Sequence, residues 1–348
     1  MRIRRDHLTV LLNAFFDRGD ETFAIEHPAP ELDELVRVEL GPHDDCRVRF
    51  PTSLEAYAAA LEEVRRNHPE AVADDLPSPD QFLKAVLASG ILEIENREET
   101  RQLLERYGDP DLMAGHPPVF AGFDTNLLPW RIDRVLGLHD PDAGVGYVNG
   151  FVLATGVRDE LDWDYKCHDT DPFEAAFGDV FEEYWNQPLG SARVGRLGQL
   201  TYRRIRDIEQ AQEIDSGTGD QAIVEAYDEY NREHRAEILL FSNDRNFVEL
   251  AQGHRILGQH IAFPDGLPSV SESVSASWGE VELLVSLLAV VFGVIEVPNA
   301  SVLGVWRGKD QLDWQYERVK VAARSPDLEA MLERDLSIVE SYEEVSGG

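Results

Sequence analysis

Four carboxylates in the middle of this chain stand where they could act as a group. Asp124 follows the apolar run "VFAGF", Glu160 follows "GFVLATGVRD", Asp244 follows "EILLFSN", and Asp220 opens the helical pattern "DQAIVEAYDEYNREH". Carboxylates brought together repel one another unless a cation neutralises them. An all-oxygen ligand set is what Mg2+ or Mn2+ prefers. Such an ion lowers the pKa of a bound water and stabilises charge on a phosphoryl group. Taken singly, each aspartate has a simpler use, because Asp is a common helix N-cap, and Glu160 alone reads as a solvated loop residue. In a chain with 66 acids, some acids reach strand ends by chance. Order, spacing and flanks are what set these four apart.

The elements that must position them alternate in type. "VFAGF", "GFVLATGV", "AEILLFS" and "GQHIAF" read as strands. The stretches "FEAAFGDVFEEYW", "LTYRRIRDIEQAQ" and "GDQAIVEAYDEYNREH" read as helices between them. Such alternation predicts a largely parallel sheet, and in parallel sheets ligands gather at the carboxyl ends of the strands. Three of the acids fall at or near that edge, and Asp220 falls at a helix start that can face it.

Residues 117–265 are therefore expected to form an α/β domain. Residues 1–116 read as a flanking α+β region, with strands "VRVEL" and "CRVRF". Its helices are expected to open at Thr52 with Glu55, at Ser78 with Pro79 in the first helical position, and at Asn96 with Glu99. Residues 266–348 read as a helix-hairpin-helix region, again α+β. "SWGE" (277–280) has capping-box spacing ahead of "LLVSLLAVVFGVIEV", a stretch too short to span a bilayer and better suited to a buried helix. "SVLGVWRG" and "WQYERVKVAA" suggest a hairpin, and "SPDLEAMLERDLSIVESYEE" a closing acidic helix.

The charge is extreme. Against 66 acids stand 32 bases, for a formal net of −34, and only Lys84, Lys166, Lys309 and Lys320 are lysines. Six Trp, fifteen Phe and regular apolar runs argue against a disordered acidic chain. The combination suggests a halophilic, archaeal-type acidic protein from a high-salt cytoplasm. At molar salt the screening length is about 3 Å, so long-range repulsion of nucleic acid fades. The counterion-release gain fades with it, so any nucleic-acid site would need short-range contacts or metal ions. Cys46 and Cys167 lie far apart and form neither a disulfide framework nor a zinc pattern, as suits a reducing cytoplasm. The first residues lack a small-residue cleavage site, so no signal peptide is expected, and no membrane partner either.

With the four acids go four motifs: "FDTNLL" (123–128), "VRDEL" (157–161), "GDQAIVEAY" (219–227) and "LLFSNDRNFVELA" (239–251). Together they resemble the successive motifs of PIN-domain nucleases, over roughly residues 118–265. The resemblance implies a PIN-like three-layer α/β/α domain and a metal-dependent endoribonuclease. It implies Asp124, Glu160, Asp220 and Asp244 as the catalytic, metal-binding acids for Mg2+ or Mn2+, with Asn126 and Ser242 as supporting polar groups. Asp162 rivals Glu160 as the second acid, and Asp215 rivals Asp220. RNA is the implied partner. A non-catalytic PIN-like module that binds RNA or protein, and a toxin-type nuclease held by an antitoxin, are the alternatives. A homo-oligomer stays open.

Residues 184–206, "YWNQPLGSARVGRLGQLTYRRIR", contain no acid. Arg193, Arg196, Arg203, Arg204 and Arg206 could grip RNA phosphates in bidentate fashion and stack on bases. The competing reading is a helix whose arginines pair with the abundant acids. Other chemistries fit less well. A haloacid-dehalogenase-type site needs an acid where Asn126 stands. "GSARVGRLG" lacks the preceding strand of a dinucleotide site, and Cys167-His168 has no second pair to complete a zinc site.

Overall fold

The run Val119–Phe123 forms strand β1, the middle of a five-stranded sheet whose neighbours are all parallel. The other strands are β2 (Gly150–Ala154), β3 (Gln212–Ile214), β4 (Glu237–Ser242) and β5 (Leu257–His260), in the order β5-β4-β1-β2-β3. The computed structural model describes residues 1–42, 45–108, 112–140, 145–161 and 166–346. The inner strands are nearly continuous apolar runs because helices cover the faces of such sheets. β2 and β4 are buried along almost their whole length.

Two of the predicted elements end earlier than their patterns suggest. "GFVLATGV" leaves the sheet at Ala154, and Thr155–Asp159 forms a short helix, α1. Side-chain hydrogen bonds drive that turn. The Ser216 N–H donates to Thr155 Oγ1 at 3.0 Å, and the Gly156 N–H donates to Ser216 Oγ at 2.8 Å. Gly156 is required there, since a Cβ would sit 2.0 Å from the Gly217 carbonyl oxygen. The arginine-rich helix α2 (Ser191–Asp207) stops before "EQAQ", and β3 follows. β3 is a short polar edge strand with exposed residues, so it carries no apolar signature.

The helix α3 (Asp220–His234) packs Ile223, Val224, Tyr227 and Tyr230 inward. The Tyr227 hydroxyl accepts from the Ala154 N–H and donates to the Val152 carbonyl. Its ring lies over Gly122, where a Cβ would come within 2.8 Å of Cε1. The helix α4 (Arg245–Gly253) follows β4.

These elements belong to one compact unit, Leu92–Trp163 with Val194–Pro264. The other unit collects Met1–Ile91, Asp164–Arg193 and Asp265–Gly348. The two flanking regions, expected to stand separately, thus share a unit with a stretch from the middle of the chain. It contains two four-stranded antiparallel sheets. One joins Thr22–Ile25, Val36–Leu40, Cys46–Arg49 and Val274–Ala276; the other joins Arg2–Ile3, Val319–Ala323, Ala300–Leu303 and Val294–Val297.

Helix Trp278–Phe292 has the capping box of Ser277 and Glu280. It ends at Gly293, whose φ of 83° only glycine adopts freely, and "VIEV" becomes a strand rather than the last turn. The hairpin partners Ala300–Leu303 and Val319–Ala323 pair as expected, and Pro326–Ser346 is the closing helix. Ser78 makes its capping box with Gln81. Two caps differ from expectation. Ser53, not Thr52, caps Leu54–Asn67, because Thr52 spends its hydroxyl on the Glu34 carbonyl. Asn96 makes no side-chain cap; its amide binds the His260 carbonyl and the Ala262 N–H instead. Among the described residues no helix is long and apolar enough to cross a membrane.

Candidate carboxylate site at the sheet edge

The strand order reverses between β1 and β4: from β1 the chain builds outward through β2 to β3, then crosses to β4 on the other side. Such a switch point opens a crevice at the carboxyl ends of the two strands. Asp124 follows β1 and Asp244 follows β4, so the two flank it. Ser242 joins them. Its buried hydroxyl donates to Asp124 Oδ2 at 2.6 Å and accepts the Asp244 N–H at 2.9 Å. Asn126 Nδ2 reaches the same Asp124 oxygen at 3.3 Å, and the Asp124 N–H extends the ladder to the Phe241 carbonyl.

The simple N-cap role holds for one aspartate of three. Asp244 Oδ1 accepts the Asn246 N–H at 2.8 Å and so caps α4. Asp124 precedes the 3-10 turn Thr125–Trp130 without capping it through its side chain. Asp220 is the first residue of α3, where Gly219 holds the cap position. Asp124 is only 4% exposed, whereas Asp220 faces solvent.

Glu160 is not a free loop residue. One of its oxygens accepts from the Thr125 hydroxyl, the other from the Gly219 N–H at 2.6 Å. It therefore ties the turn after β1 to the start of α3. Thr125 is the residue that motif reasoning passed over. It is the middle of "DTN", and a hydroxyl beside the first acid was the available signal. Asp162 lies outside the described residues. Asp215 follows β3 on the exposed loop toward Asp220.

The acids feel one another's charge. Burial and then the charge of Asp220 hold the Asp124 carboxyl above its usual range, although Ser242, the Thr125 N–H and Asn126 pull it back. Asp220 is also raised, first by partial desolvation, then by the charges of Asp244 and Glu160. Carboxylates that raise one another favour a cation between them. The donor set, all oxygen and mostly anionic, fits Mg2+ or Mn2+. No three of the four acids bring ligand atoms within 4.8 Å of one another. Among the described residues only Asp6, His7 and Glu343 do so, and Arg4 already pairs with both of those carboxylates.

The arginines divide. Arg193 is fully buried; NH1 meets Asp75 Oδ1 at 2.6 Å, and NH2 donates to the carbonyls of Asp75 and Val291. Arg196 is buried as well. Arg204 is ion-paired to Asp133 and Glu209 with little exposure. These three are spent inside the fold and leave the predicted RNA-contacting set. Arg203 and Arg206 remain half-exposed. Both cysteines are buried, and neither is in a disulfide.

Fold and site together define an α/β protein with a five-stranded parallel sheet and an acidic cluster at its switch point. No protein-family model, curated protein or solved structure matches the chain.

Proposed function

We propose that this protein is a metal-dependent ribonuclease with a PIN-like domain formed by the parallel-sheet unit, working in a high-salt cytoplasm. The observation that carries the reading is the Ser242 bridge between Asp124 and Asp244 at the switch point, with Asp220 and Glu160 coupled to it. Mg2+ or Mn2+, when bound, would lower the pKa of water and stabilise charge on a phosphoryl group.

The protein's own residues do the rest. Asp124 and Asp244 are the main ligands, held in register by one hydroxyl. Asp220, at the start of α3, completes the charge. Glu160 locks the Thr125 turn to the Gly219 N–H and so orients the other acids. The Asn126 amide donates to the Asp124 carboxylate and helps to fix its orientation. Carboxylates raised by burial and mutual repulsion gain most from a cation, so loading favours neutral to alkaline pH, where protons no longer compete.

The test is cleavage of RNA in molar KCl with Mn2+, comparing the wild type with Asp124→Asn. Activity in the wild type, its loss on chelation and its loss in the variant are expected. Equal activity in the two proteins would sink the assignment.

A further inference from the structure

One strand outward along the same sheet edge, Glu213 on β3 draws three donors to a single oxygen. The Tyr202 hydroxyl donates to Glu213 Oε1 at 2.9 Å. NH1 of Arg158 stands 3.7 Å from that oxygen and NH1 of Arg206 stands 3.9 Å from it. Each guanidinium is braced from behind by the next residue in the chain. Arg158 Nε donates to Asp159 at 2.9 Å, and Arg206 donates through Nε and NH2 to Asp207 at 2.6 and 3.0 Å. In each guanidinium NH1 is the nitrogen nearest Glu213, and neither NH1 is spent on the neighbouring aspartate.

The distances show a misfit. A hydrogen bond to nitrogen spans about 2.7–3.2 Å, so the carboxylate satisfies Tyr202 and leaves both arginines short. A phosphate group is tetrahedral and offers more oxygens over a wider span, and arginine forks match it. The side chains of Arg158, Arg206 and Glu213 are 40%, 31% and 33% exposed, so a ligand can reach them. The backbone segments that carry the group lead into those that carry the acids. Arg158 is two residues before Glu160, and Thr155 and Gly156, just after β2, are tied to Ser216, just after β3.

We propose that Arg158 and Arg206 grip a backbone phosphate of the RNA strand next to the acid cluster, and that Glu213, anchored by the buried Tyr202 hydroxyl, is the built-in competitor for that grip. This rests on the ribonuclease reading and deepens it. The bare group is unwelcoming to an anion, because two guanidiniums face the carboxylates of Asp159, Asp207 and Glu213. Binding requires Glu213 to yield its place. The grip is short-range, so it depends less on the long-range attraction that salt screens.

The experiment uses the full chain carrying Asp124→Asn, so that bound RNA stays intact, and a fluorescein-labelled single-stranded oligoribonucleotide. Anisotropy titrations run from 0.5 to 2 M KCl for this parent and for added Glu213→Gln, Arg158→Gln or Arg206→Gln. Glu213→Gln is expected to tighten binding several-fold. Each arginine variant is expected to weaken it, and to lower the slope of log affinity against log salt by about 0.7, the value for one phosphate contact on a single strand. Circular dichroism confirms that each variant is folded; Lys at the two arginine positions should restore part of the affinity. Unchanged or weaker binding in Glu213→Gln, or parental binding in both arginine variants, overturns the proposal. If instead these shifts occur while the protein with Asp124 intact cleaves no RNA, the grip stands and the ribonuclease reading fails.

Discussion

Ser242→Ala is the sharpest perturbation of the acid cluster, because one buried hydroxyl serves both principal acids. The variant removes a 2.6 Å bond to Asp124 Oδ2 and strips the Asp244 N–H of its acceptor at 2.9 Å. A hydrogen bond to a charged partner contributes about 1.5–3 kcal/mol, and a buried donor left without an acceptor costs about 1–3 kcal/mol more. The Asp244 N–H is only partly buried and recovers some of its share from water. A loss of about 2–4 kcal/mol in unfolding free energy is therefore expected at pH 8.

The effect has a direction in pH. Ser242 pulls the Asp124 pKa down against the burial that raises it, so its removal raises that pKa further. The Ser242 contribution belongs to the ionised carboxylate, hence the loss is full at alkaline pH and shrinks as pH falls through the Asp124 titration. Urea unfolding in molar KCl at several pH values measures it. The acid limb of Mn2+-dependent cleavage should move to higher pH, and Mn2+ affinity should fall about 10–100-fold, as for other partners of metal ligands. Ser242→Thr keeps a hydroxyl and should recover most of both. An alanine variant with wild-type stability at pH 8 and an unmoved acid limb would refute the reasoning.

Three further outcomes follow from the packing. Arg193→Met should cost about 3–5 kcal/mol in chemical denaturation, because it leaves the Asp75 carboxylate, 2% exposed, without its cation; RNA affinity of the folded fraction should not change. Gly122→Ala should cost about 1–3 kcal/mol by overpacking against the Tyr227 ring and Leu240, and Gly122→Ala with Tyr227→Leu should lose less than the sum of the single changes. His27 is buried among Phe177, Phe181 and Phe292, and burial pushes its pKa down from 6.5 to about 3. The unfolded chain binds that proton first, so stability is full above pH 6.5 and drains as pH falls toward 3, by up to about 5 kcal/mol at 1.36 kcal/mol per unit. His27→Gln should flatten the measured decline over that window.

What was legible in the sequence was whatever leaves a local mark. β1 and β4 are apolar runs that a doubly covered sheet requires, and the N-cap at Ser78 and the capping box at Ser277 need only a few consecutive residues, although the same kind of local mark misplaced the caps at Thr52 and Asn96. The acids at strand ends were visible for the same reason, since parallel topology turns "after a strand" into "at one edge". β3 was hidden because an exposed edge strand has nothing to bury. "VIEV" was hidden by its apolar continuity with the preceding helix, and only the backbone of Gly293 separates the two. The arginines could not be sorted in advance. Arg193 meets its carboxylate 118 positions away in the chain, and no local pattern records a partner at that distance. Glu160 was readable as an acid near the site, but its hold on Thr125 and Gly219 depends on three loops meeting.

The discontinuous unit has a consequence for how the chain is made. The parallel-sheet unit is complete once residue 264 has emerged, whereas the antiparallel unit still lacks Asp265–Gly348. Strand Arg2–Ile3 finds its partner only when Val319–Ala323, made much later, arrives. At about 5–20 residues per second, the early strands wait many seconds with open edges. Open edges are templates for pairing with other chains. Acids outnumber bases about two to one in this sequence, and like charge opposes the close approach of a second copy, so the acidity also guards edges that close late.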